Sequence, residues 1–169
     1  MQPGIYTGLW LMPVLALLQS SLASRLEFRG VLPGFVLVTV VSWGILRGLE
    51  EGLVWAFVGG VSLDVLSGLP FGTNTVAMVV TAGVVSLGEG TFIRTHALLP
   101  LMTVFGATIL YYVIVLFILQ STQQPVDWLA ALRTYMLPTA IYNALMSILV
   151  FWLARRLESR IYRAPRAHW

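Results

Sequence analysis

Asp64 is the acid most open to a chemical role, because no other acid falls within one of the apolar stretches that predict spans. It lies in a row of small residues, Gly48, Gly52, Ala56, Gly60, Asp64 and Gly68, set four apart. Residues four apart share one face of a helix, so the row predicts a face of small side chains with a carboxyl near one end. An ionised acid at the centre of a bilayer costs about 2.5–3.5 kcal/mol on insertion scales and is normally held against partners. The carboxylate can accept hydrogen bonds from backbone amides left free in the turn Ser67–Asn74, where the next helix begins. Alternatively, it can bind a partner or a ligand. The small residues are open in the same way: they suit tight packing of the chain's own helices, or a groove for a partner's helix. Gly52, Ala56, Gly60 and Asp64 are the candidate partner-binding face. Ser67, Gly68, Pro70, Gly72 and Asn74 are the candidate structural turn.

Catalysis is a third use, and the remaining residues argue against it. General acid–base work needs acids or bases placed around one reacting group. The two histidines, His96 and His168, are far apart, and neither accompanies Asp64. Only Glu89 among the other acids is expected near membrane depth. The chain has no cysteine, no His-Glu-x-x-His, no phosphate-cradling glycine loop and no serine–histidine–acid set. We expect no enzymatic activity, no metal and no cofactor. Asn143, five residues after Pro138, is the candidate for a polar contact between helices.

The elements that position these groups are long apolar blocks. Of 169 residues 58% are hydrophobic and 10% charged, against about 25% charged in a soluble domain. The blocks run over about 4–24, 31–46, 52–66, 73–88, 97–119 and 135–154. About 20 apolar residues in a helix cross a bilayer's hydrocarbon core. The expectation is therefore an all-α integral membrane protein, one domain forming a bundle of about six transmembrane helices. The second and third blocks are short enough to be a re-entrant hairpin instead. Arg47, Glu50 and Glu51 form a polar group between them. Pro13 and Pro138 are expected to kink their helices, and the connection 121–133 to carry a short interfacial helix around Asp127 and Trp128. The first block lacks the preceding basic residues of a signal peptide and is read as a retained helix. With six spans, Arg47, Arg94, Arg155, Arg156, Arg160, Arg163 and Arg166 share one side, against Arg25, Arg29 and Arg133. That puts both termini in the cytoplasm. The arginine-rich tail reads either as a topology anchor or as a surface attracting anionic lipid. Nothing points to nucleic acid.

Pro33-Gly34-Phe35, Gly52, Gly60 and the run Asp64-Val65-Leu66-Ser67-Gly68-Leu69-Pro70-Phe71-Gly72-Thr73-Asn74 resemble the family of the bacterial rod shape-determining protein MreD. Leu137-Pro138 and Asn143 resemble that family's last span, and size, span count and basic tail agree over nearly the full length. The mixed charges of Arg47–Glu51 are less typical of it. The resemblance implies a non-enzymatic scaffold of the cell-elongation (rod) complex in the bacterial cytoplasmic membrane, helping to regulate peptidoglycan synthesis and cell shape. Its direct partner would be MreC, a single-span coiled-coil protein. Through MreC it would connect to MreB filaments, to the RodA glycosyltransferase and to a class B penicillin-binding transpeptidase, with membrane lipids around it. The family is also similar in architecture to the substrate-binding subunits of energy-coupling-factor transporters. The alternative is accordingly a vitamin-binding subunit, although the first block lacks the Ala-x-x-x-Ala-like docking face of such subunits.

Overall fold

A computed structural model describes residues 3–23, 33–88 and 98–161. These residues form six helices and no strands: α1 (Pro3–Ala23), α2 (Phe35–Arg47), α3 (Leu49–Leu66), α4 (Thr73–Leu87), α5 (Leu98–Ser121) and α6 (Trp128–Ile161). The predicted polar loops holding Arg25, Arg29, Glu89, Arg94 and His96 lie outside the described residues, as do Arg163, Arg166 and His168 of the tail.

α2 is the centre of the bundle and packs against all five other helices. It is apolar on nearly every side, and Val36, Leu37, Val38, Val40, Val41, Trp43 and Gly44 are all buried. A helix that is hydrophobic all round has no face to offer to water and so ends up surrounded. The outer helices reverse the usual arrangement of a soluble protein. Trp10, Phe57, Val84, Phe117, Leu145 and Ile148 point outward, while Glu51, Asp64, Asn74, Thr108, Asn143 and Ser147 are buried. Two helical stretches, Pro100–Ser121 and Trp128–Ile161, are long and apolar enough to cross a membrane. Both features suit a hydrocarbon surrounding, in which exposed apolar side chains carry no penalty and unpaired polar ones do.

Three differences from the sequence expectations have local causes. α3 starts at Leu49, three residues earlier than expected, and only Gly48 separates it from α2. Gly48 has φ +81°, in the left-handed region that glycine enters without strain, so the chain folds back within one residue. As a result Glu51, expected in a polar connection, is a helical residue with no exposed surface. Asp64 is therefore not the only acid within the helical bundle. The Glu51 carboxylate accepts from Trp43 Nε1 at 2.9 Å and from Arg47 at 3.3 Å, and Arg47 also reaches Glu158 at 3.6 Å. Trp43 in turn stacks on Trp55, with ring centroids 4.2 Å apart and planes 7° from parallel. Trp55 Nε1 donates to the carbonyl of Gly4 at 3.0 Å. This end of the bundle thus ties α1, α2, α3 and α6 together.

The third difference concerns the last helix. The short helix expected around Asp127 and Trp128 is present as Trp128–Ala131, but it runs on without a break, so α6 begins seven residues before the expected block and continues to Ile161. Asp127 starts it by accepting from the amide of Ala130 at 2.9 Å. Pro138 cannot donate to the helix ladder. A π-helical stretch, Leu132–Met136, precedes it and lets the helix continue past the proline.

Removing Arg47 takes a cation away from the buried Glu51 carboxylate. Arg47→Met is expected to cost on the order of 3 kcal/mol in detergent-solubilised protein. Glu158 is part-exposed, and Glu158→Gln is expected to cost under about 1 kcal/mol. Equal losses of melting temperature in the two variants would contradict this ranking.

Candidate functional site

The Asp64 region is built from the α3–α4 contact outward. The small-residue face of α3 is turned into the bundle. Ala56 is fully buried. A Cβ on Gly52 would lie 3.1 Å from Gly44 Cα and 3.2 Å from Ser86 Oγ. A Cβ on Gly60 would lie 3.0 Å from Thr75 N and 2.5 Å from Thr75 Cα, the latter a distance real Cβ atoms essentially never show. The two backbones therefore touch at Gly60, and one turn later Asp64 lies beside the start of α4. The chain's own α2 and α4 cover the face that was a candidate for a partner helix. Of the two sequence readings, packing within the chain is the arrangement observed, and a partner could use this face only by displacing those helices.

Asp64 acts as a cap for a helix other than its own. Its Oδ1 accepts from the Asn74 amide at 2.8 Å. Its Oδ2 accepts from the Thr75 amide at 3.0 Å and from Thr75 Oγ1 at 2.5 Å. The Thr73 amide is answered separately by the Pro70 carbonyl at 3.1 Å. The first amides of a helix have no partner within it, and here a carboxylate at the positive end of the helix dipole satisfies two of them. The turn between supports this geometry. Gly72 has φ +95°, and Asn74 Nδ2 donates to Ser67 Oγ at 3.0 Å. Tyr111 on α5 then donates its hydroxyl to Asn74 Oδ1 at 2.5 Å, which joins α5 to the same network. Gly68 has no atom within 4 Å of a Cβ position, so it contributes no close contact.

A second set of cross-helix caps closes the start of α2. Asn143 Oδ1 on α6 accepts from the Gly34 amide at 2.9 Å, and Asn143 Nδ2 donates to Thr108 Oγ1 on α5 at 3.3 Å. Gln19 Oε1 on α1 accepts from the Val36 amide at 3.1 Å. Asn143 is therefore interhelical, linking three helices. The two networks flank a cavity of about 200 Å³ lined by Gln19, Asn74, Tyr111 and Asn143 together with apolar residues such as Leu37 and Met78. Among the described residues no charged one lines it. Among the described residues no group of three or more histidines, cysteines or acids converges on a possible metal position.

Sequence reasoning missed Glu51, Thr75, Tyr111, Thr108 and Gln19. The spacing of Arg47 and Glu51, four apart, was a usable signal for an ion pair on one helix face. For Tyr111 and Gln19 no local pattern existed, because their partners are 37 and 17 residues away.

Asp64→Ala leaves two amides and a hydroxyl without acceptors. It is expected to cost about 3 kcal/mol or more, whereas Asp64→Asn keeps one acceptor oxygen and should lose clearly less. Gly60→Ala should cost about 1–3 kcal/mol through overpacking against Thr75. Thermal unfolding of the three variants tests both statements, and an unchanged melting point for Asp64→Ala would refute the capping role.

Comparison with curated proteins finds no match, and neither does comparison with solved structures. The similarity to energy-coupling-factor subunits therefore has no structural support. A family model does match, over residues 5–159. That stretch includes the Asp64 cap, the turn and Asn143. Family and long apolar helices together point to a membrane protein with a part in determining cell shape. The chain belongs to the family of the rod shape-determining protein MreD.

Proposed function

We propose that the protein is a non-enzymatic membrane scaffold of the rod complex, binding MreC and thereby helping to regulate peptidoglycan synthesis. Family membership supports the assignment to the complex. The observation that carries the scaffold reading is the commitment of Asp64. Its two oxygens already accept three hydrogen bonds at the start of α4, so the carboxylate serves architecture. The surface left for recognition is apolar, with Trp10, Phe57, Phe117 and Leu145 among the side chains facing outward. On this reading a partner helix is recognised by packing against the outside of the bundle. Gly52, Ala56, Gly60 and Asp64 contribute from within, by fixing how α3 and α4 present that outside.

The proposed location is the bacterial cytoplasmic membrane, with six spans and both termini in the cytoplasm. Arg47, Arg155, Arg156 and Arg160 support that orientation: Arg47 reaches Glu158 on the arginine-bearing end of α6, and Trp55, stacked on Trp43, bonds to Gly4 near the start of α1. MreB, RodA and the class B transpeptidase would be reached through MreC. The vitamin-binding alternative is less well supported, because Asn74 and Asn143 in the cavity wall are already engaged with Ser67, Tyr111, Gly34 and Thr108.

Co-expression with tagged MreC, followed by detergent extraction and affinity purification, tests the proposal. We expect the two chains to co-elute, and Asp64→Ala to lower association and melting temperature together. A folded wild-type chain that never co-elutes with MreC would remove the scaffold reading. Tight binding of a vitamin in isothermal titration would favour the alternative.

A further inference from the structure

The far end of α6 carries a feature that scaffolding does not use. The Arg155 guanidinium carbon lies 4.8 Å from the centroid of the Phe151 ring, and that of Arg156 lies 4.0 Å from the Trp152 ring. Each arginine is thus stacked on the aromatic side chain one turn before it. Arg160 follows Arg156 by four residues and shares its face. Glu158, the one acid between Phe151 and Ile161, pairs instead with Arg47. Among the described residues Arg155, Arg156 and Arg160 have no carboxylate partner. Directly before them α6 exposes Ile148, Leu149, Trp152 and Leu153, each about half accessible.

Stacking holds a guanidinium in place before any ligand arrives, so less side-chain freedom is lost on binding. The planar fork then offers two parallel donors, which match the oxygens of a phosphate. An anion held there would sit at the end of an exposed apolar stripe, and a molecule with both parts is a phospholipid. Taking α6 as a membrane helix, we propose that residues 148–160 form a site for an anionic phospholipid. Arg155, Arg156 and Arg160 hold the headgroup phosphate, and Ile148, Leu149, Trp152 and Leu153 lie along the acyl chains. A free phosphate would have no use for the apolar stripe, which is why the lipid is the occupant.

The test uses the full chain in nanodiscs of phosphatidylglycerol and phosphatidylcholine in equal parts, with the lipid retained on extraction counted by native mass spectrometry. Wild type is expected to retain phosphatidylglycerol preferentially. Arg155→Gln with Arg156→Gln should lower that preference roughly tenfold. Trp152→Leu leaves every charge in place and should lower it several-fold, because the Arg156 stack is gone. Both changes are at exposed positions, so melting temperature should stay at the wild-type value. Retention unchanged in both variants would overturn the site. So would a preference lost equally on neutralising Arg133 outside the cluster, since that is the signature of bulk charge. Displacement of the bound phosphatidylglycerol by inorganic phosphate alone would assign the cluster to free anions and overturn the lipid.

Discussion

The bundle depends on one constraint: helices that begin away from water leave amides that only the protein can satisfy. Each buried helix start exposes donors whose neglect is costly in an apolar medium. Here the acceptors come from other helices. Asp64 of α3 serves α4, while Asn143 of α6 and Gln19 of α1 serve α2. A cap supplied by a neighbour does more than satisfy an amide. It fixes the depth of one helix against another, because a slip of one turn, about 5.4 Å, would break the bond. The central helix is thus held in register from two sides and α4 from a third.

Close approach is the condition for those caps. A carboxylate on α3 reaches the α4 amides only because Gly60 lets the backbones meet at Thr75. The glycine and the acid are one device, and their spacing of four places both on the same face. The opposite end of the bundle uses different means. There a half-buried ion pair and a pair of stacked tryptophans join the helices, with each indole N–H given an acceptor.

Much of this was legible in the chain. The apolar blocks gave the helices, and the small-residue row with Asp64 gave the face and its end. The turn 67–74 pointed to the amides that the carboxylate would meet, with Thr75 one residue beyond it. What stayed hidden was which of two uses the small face has, since a groove for a partner and a seam within the chain require the same residues. Glu51 was read as a loop acid because charges next to Gly48 resemble a connection. The left-handed geometry of that glycine makes the connection a single residue and draws Glu51 inside. Pro138 pointed to a kink; the π-helical stretch Leu132–Met136 just before it, which carries the helix past the proline, had no local signature.

That uninterrupted passage has a mechanical consequence. α6 keeps 34 helical residues in one piece, roughly 51 Å of helix at 1.5 Å per residue, against a hydrocarbon layer of about 30 Å. A helix longer than the layer around it is accommodated by tilting, kinking or local thickening of the bilayer. Through Arg47 and Glu158 the arginine-bearing end also touches the α2–α3 hairpin. The lean of α6 is then fixed by packing against α2 and α5, so a bilayer of another thickness would have to adapt around the ends of the helix.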